Sequence, residues 1–146
     1  MPIKRLLIIY HSQAGSTEAM ARAISEGASS AGATVVLKRA IDASGEDLLD
    51  CNAVAIGTPN YFSYMAGLLK DFFDRAWPTV RGRVSNKPYV AFCSSGGGGR
   101  QALDSVERIC NSLGLSKVSE GIIASGKPSS KVFDDCKELG KKLAQL

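Results

Sequence analysis

Residues 3–17 read Ile3-Lys4-Arg5-Leu6-Leu7-Ile8-Ile9-Tyr10-His11-Ser12-Gln13-Ala14-Gly15-Ser16-Thr17. The apolar run over Ile3–Tyr10 is the pattern of a strand covered on both faces, as parallel strands are. It breaks directly into a loop of small and hydroxyl-bearing residues. Ala19, Met20, Ala23, Ile24 and Ala28 then recur at helical spacing through Ser16–Ala31, until Gly32 closes the helix. A buried strand, a short loop and a helix, in that order, open a parallel α/β sheet.

The alternation continues along the chain. Thr34–Arg39 is a β-branched strand, and after a polar connection Asn52–Gly57 is another buried one. The loop Thr58–Ala66 leads to a helix over Gly67–Trp77, apolar along Leu68, Leu69, Phe72, Phe73 and Ala76, with Pro78 as its stop. Lys87–Cys93 is a fourth strand, followed by the loop Ser94–Gly99 and a helix over Arg100–Leu113 closed by Gly114. Lys117–Ala124 is the fifth strand and Ser129–Gln145 the last helix, with Val132, Phe133, Cys136, Leu139 and Leu143 inward. Five strands alternating with helices imply an α/β fold, a three-layer α/β/α sandwich on a five-stranded parallel sheet. A length of 146 residues, 45% of them apolar, suits a single domain over 1–146.

Composition narrows the function. No apolar run approaches the ~20 residues that span a bilayer, and Leu6–Tyr10 is too short for a secretory signal core. A soluble, cytoplasmic protein without membrane insertion is expected. Cys51, Cys93, Cys110 and Cys136 are too far apart for a CxxC pair, and His11 is the sole histidine, so no metal site is expected. The net charge of +4 is unevenly placed: Arg75, Arg81, Arg83, Lys87 and Arg100 fall in a stretch without an acid. The basic residues are scattered and no nucleic-acid motif is present, so no nucleic-acid partner is expected.

Ligands of open parallel sheets bind outside the carboxyl ends of the strands, where strand order reverses. The loops after strands one, three and four are therefore decisive. Ser12, Gln13, Ala14, Gly15, Ser16 and Thr17 offer free amides, hydroxyls and a helix start, the groups that hold a phosphate. Neither GxxxxGK[ST] nor GxGxxG occurs, which argues against a nucleoside triphosphatase. After the third strand, Pro59, Asn60, Tyr61 and Phe62, with Tyr64 and Met65 beyond, supply aromatic surface suited to a flat heteroaromatic ring. After the fourth, Ser94, Ser95, Gly96, Gly97 and Gly98 let backbone amides approach a ligand's polar edge. A phosphate-bearing flat ring such as FMN fits all three loops.

Here the sequence resembles the flavodoxin-like FMN proteins, in particular their NAD(P)H:quinone reductase-like branch. The resemblance rests on Gly57-Thr58-Pro59 followed by Phe62, Met65 and Gly67, on Ser12 with Gly15-Ser16-Thr17, and on Ser94–Gly99. It implies a strand order of 2-1-3-4-5. It also implies FMN phosphate at Ser12–Thr17, the isoalloxazine along Pro59–Phe62, and its pyrimidine edge at Ser95–Gly98. Catalytic side chains are not implied, because the flavin carries the chemistry.

Flavodoxins that carry electrons are strongly acidic around the flavin and place an aromatic in the third loop. This chain is basic over Arg75–Arg100, and its third loop has none. An open ring face and a positive surround suit hydride transfer from NAD(P)H, so the leading expectation is an FMN oxidoreductase. It would pass electrons to a quinone, a flavin or a similar acceptor. The alternative is a flavodoxin-type carrier serving a redox protein partner. A phospho-receiver would need an acidic pair after strand one, where His11-Ser12 stands. The aromatic loop and Trp77 leave a homodimer open.

Overall fold

The computed structural model describes residues 4–146. The strands are β1 (Arg5–Tyr10), β2 (Thr34–Arg39), β3 (Ala53–Pro59), β4 (Pro88–Ser95), β5 (Ser116–Lys117) and β6 (Ile122–Ser125). The helices are α1 (Ser16–Ser30), α2 (Gly45–Asp50), α3 (Gly67–Val80), α4 (Arg100–Leu113) and α5 (Ser130–Ala144). All pairings between strands are parallel, in the order β2-β1-β3-β4-β5, with β6 also on β4. Ile3, read as the first residue of the first strand, lies outside the described residues.

The period-two alternation of the strands builds two cores. Leu7, Ile9, Val54, Ile56, Tyr89, Ala91 and Cys93 pack under α2, α3 and α4. Leu6, Ile8, Tyr10, Ala53, Ala55, Val90 and Phe92 pack under α1 and α5. Every strand residue from Leu6 to Tyr10 and from Ala53 to Pro59 is buried, which is why these runs are continuously apolar rather than alternating.

Three details depart from the sequence reading. Pro78 does not end α3. The helix runs two residues further, because the Arg81 N–H still reaches the Trp77 carbonyl at 3.0 Å and Val80 is drawn into the core. The polar connection after β2 contains a 3-10 turn over Ala40–Asp42 and then α2, opened by a capping box between Ser44 and Asp47. The fifth strand is interrupted: four residues lie between Lys117 and Ile122, against two between their β4 partners Tyr89 and Phe92. The surplus bulges out over Val118–Gly121 and shortens an exposed sheet edge.

Helices α1 and α5 meet at glycines. A Cβ on Gly27 would collide with the Lys137 carbonyl, and one on Gly140 with the Ile24 carbonyl, so the two backbones touch directly. Gly140→Val should therefore destabilise the protein by about 1–3 kcal/mol through overpacking. Urea unfolding should show a lower midpoint with an unchanged m-value, whereas an unchanged midpoint would mean that the helices separate freely.

Candidate functional site

Strand order reverses between β1 and β3. From β1 the chain crosses through α1 on one face, and from β3 through α3 on the other, so the two exits splay apart and leave a crevice. The loop after β4 closes its third side. The resulting cleft encloses about 230 Å³.

The first wall is the His11–Gly15 turn. The Gly15 N–H donates to Ser12 Oγ at 3.1 Å, folding the loop back on itself. Gly15 takes a left-handed φ of 103° as the cap of α1 and brings no side chain to it, so the first-turn amides of α1 open onto the cleft. Thr17, buried, shares a 2.7 Å hydrogen bond with the buried Ser94 hydroxyl at the end of β4. The His11 backbone N–H donates to the Gly57 carbonyl (3.3 Å), and burial pushes its imidazole below the ordinary value, which disfavours the charged form.

The second wall is a tight hairpin. Tyr61 and Tyr64 exchange backbone hydrogen bonds of 3.1 Å around Phe62 and Ser63, which take φ of 55° and 61°. Positive φ at both central residues is the primed turn usually built from Asn-Gly. With Phe and Ser in those places the backbone strain is roughly 1–3 kcal/mol per residue. The hairpin is pinned from below: Ala66 N–H donates to Thr58 Oγ1 (2.9 Å) and Met65 N–H to Ser105 Oγ (3.1 Å). The Tyr61 hydroxyl donates to Gln13 Oε1 at 3.1 Å and joins this wall to the first.

The third wall is the Ser94–Gly99 turn. The Ser95 hydroxyl donates to the Gly97 carbonyl (2.6 Å) and accepts from the Gly97 N–H (3.1 Å) and from Asn60 Nδ2 (3.3 Å). The Gly126 N–H donates to the Ser95 carbonyl at 2.6 Å.

The cleft brings together Ser12, Gln13, Ala14, Ser16 and Thr17 with Pro59, Asn60, Tyr61, Ser94, Ser95 and Gly96. Four residues expected at the site are not on its wall. Gly15 sits behind as the helix cap, Phe62 is fully exposed at the hairpin tip, and Gly97 and Gly98 lie beyond the rim. Gly126 lines the cleft and was missed. Its signal was a glycine directly after the fifth strand, at the same carboxyl end of the sheet.

Among the described residues, no charged side chain lines the cleft. The positive surround expected from Arg75–Arg100 is a correction. Helix α3 carries the chain away from the carboxyl ends, so Arg81, Arg83 and Lys87 stand at the opposite end of the sheet. Their charge serves local structure: Lys87 Nζ donates to the Leu48 and Leu49 carbonyls at the end of α2, and Arg81 stacks on Trp77. Arg75 is held by the Ala40 and Ala43 carbonyls beyond β2, and Arg100 opens α4 at the cleft end without lining the cleft. The four cysteines are free and buried, and burial raises the Cys51 and Cys93 thiols to about 11, which keeps them protonated.

The Thr17–Ser94 bond gives the first test. Thr17→Val leaves the Ser94 hydroxyl buried without its partner and should cost about 1–3 kcal/mol in the cofactor-free protein. Adding Ser94→Ala should recover part of that loss in a double-mutant cycle, and strictly additive losses would show that the two hydroxyls are uncoupled.

Residues 8–140 match the family model described as flavodoxin. A flavodoxin of Aquifex aeolicus (strain VF5) is 30% identical, over 97% of this chain and 85% of its own length. An NAD(P)H dehydrogenase (quinone) of Rhizobium meliloti (strain 1021) is 31% identical over 76% of this chain, which spans only 64% of that relative. Among solved structures, a flavodoxin from the domain Archaea superposes with a TM-score of 0.88 at 26% identity, covering 97% of this chain and 96% of its own. The chain belongs to the flavodoxin family of FMN-binding redox proteins.

Proposed function

We propose that the cleft holds FMN and that the protein is an oxidoreductase, taking electrons from NAD(P)H and passing them to a quinone, a flavin or a similar acceptor. The donors and acceptors of the cleft suit FMN. The open first-turn amides of α1 with Ser12, Ser16 and Thr17 suit a phosphate without any lysine or arginine. The Asn60 side-chain oxygen, buried on the cleft wall, has no hydrogen-bond partner and awaits a donor from a ligand.

Bound FMN supplies hydride acceptance and one- or two-electron release. The chain's part is to bind, orient and expose it. Ser12–Thr17 anchor one end, Tyr61 offers a ring wall fixed by its bond to Gln13, and the Ser95 turn fixes the far edge. The observation that carries the enzyme reading is the bareness of the third loop. A Cβ at Gly96, the glycine of this loop that lines the cleft, would meet nothing within 4 Å, so that stretch of the wall is bare. Hydride transfer needs a nicotinamide stacked on the ring with reacting atoms ~3–3.5 Å apart, and an uncovered side permits it.

A second reading, an electron carrier docking on redox proteins, is favoured by coverage. The chain matches 85% of one flavodoxin and 96% of another, but 64% of the quinone dehydrogenase.

Anaerobic mixing of the FMN-loaded protein with NADPH, then NADH, separates the two. The oxidoreductase bleaches the visible flavin band within seconds. A band that persists with both nucleotides, yet bleaches on chemical reduction, supports the carrier. In the enzyme, Gly96→Tyr should cover the bare side and slow nucleotide-driven bleaching by roughly tenfold or more, the factor expected when stacking geometry is lost.

A further inference from the structure

We propose that the Asn60 carboxamide oxygen reads the imide edge of the flavin by accepting a hydrogen bond from its ring N3–H. The inference rests on the FMN reading above and assigns a contact to one side chain.

Asn60 Oδ1 is the unpartnered buried acceptor of the cleft. Its orientation is not free. The single proton of Ser95 Oγ goes to the Gly97 carbonyl at 2.6 Å, so toward Asn60 that oxygen can only accept, and it does so from Nδ2 at 3.3 Å. Rotating the amide would set two acceptors against each other. The Asn60 backbone N–H is taken by the Ser94 carbonyl at 3.0 Å, which fixes the residue at its base. Oδ1 therefore stays aimed at a donor that the described residues do not supply.

Strand alternation says which end of the ligand that donor belongs to. Ser94 projects with Val90 and Phe92 toward the α1 side, where it meets Thr17. Ser95 projects with Ala91 and Cys93 toward the α3–α4 side, and Asn60 is bonded to it there. A ligand anchored by its phosphate at the start of α1 thus reaches Asn60 with its distal, ring end. Oxidised flavin carries one ring N–H, at N3, between two carbonyls. Gly96, on the same wall, has a backbone N–H for which the described residues provide no acceptor. An acceptor beside a donor is the complement of N–H beside C=O, the imide pattern.

The test uses binding. Dissociation constants for FMN and N3-methyl-FMN are measured by flavin fluorescence with the native protein and with Asn60→Ala, which leaves room for the methyl group. The native protein should bind N3-methyl-FMN about tenfold more weakly than FMN, the scale of one buried hydrogen bond lost with its partner left unsatisfied. Asn60→Ala should bind FMN about tenfold more weakly than the native protein and no longer distinguish the two flavins. Equal affinity of the native protein for both flavins overturns the inference, independently of whether the variant folds. Discrimination that survives in Asn60→Ala overturns it as well, because another group then reads N3–H. A native protein that binds neither flavin overturns the FMN reading itself.

Discussion

Thr17 Oγ1 and Ser94 Oγ, 2.7 Å apart and both buried, are the tie on which the site depends. One belongs to the first turn of α1, after the first strand of the sheet. The other ends β4, two strands away across β3. Because strand order reverses between β1 and β3, the loops there diverge by construction, and something must hold the resulting gap to one width. Apolar packing cannot do so at the edge of a sheet, where the core has run out. A hydroxyl pair can, since leaving either group buried alone would cost more than the bond itself returns. From that tie the remaining links follow: Asn60 to Ser94 and Ser95, Tyr61 to Gln13, and Gly126 to Ser95. The three walls are thus one hydrogen-bonded frame.

The frame is electrically quiet. A phosphate there would be met by amide dipoles and hydroxyls, while burial at the edge lowers the His11 pKa and so disfavours its charged form. The cations stand elsewhere, on carbonyls at helix ends or in surface pairs such as Lys70–Asp74. Recognition by fixed dipoles demands position rather than charge. That demand explains why Gly15 is held at a φ that side chains rarely adopt, and why a strained hairpin persists at Phe62 and Ser63.

Much of this was legible in the sequence, and the reasons are physical. Continuous apolar runs such as Leu6–Tyr10 and Ala53–Ile56 have one good explanation, a strand buried on both faces, so the parallel sheet could be read, while its strand order followed only from the family resemblance. Loops at the carboxyl ends of strands are where ligands go, so Ser12, Asn60 and Ser95 could be placed without coordinates. What could not be read depends on partners distant in the chain. Pro78 looks like a helix stop until Val80 is seen in the core. Arg81 and Arg83 read as part of a positive surround until α3 is seen to carry them to the other end of the sheet. Gly126 has no local mark beyond following a strand, and Phe62 gives no hint that its hairpin turns it outward. The capping box at Ser44 and Asp47 was visible and simply passed over as a polar linker.

On the proposed reading, one uncharged frame at the carboxyl ends of β1, β3 and β4 holds FMN. Its most direct test is amide-resolved NMR of the cofactor-free protein titrated with FMN. The account predicts that the largest shifts fall together on the first turn of α1, on Asn60 and Tyr61, and on Ser95 and Gly96, while the amides around the Val118–Gly121 bulge stay still. Shifts centred on that bulge or on the far ends of the strands, or none at saturating FMN, would contradict it.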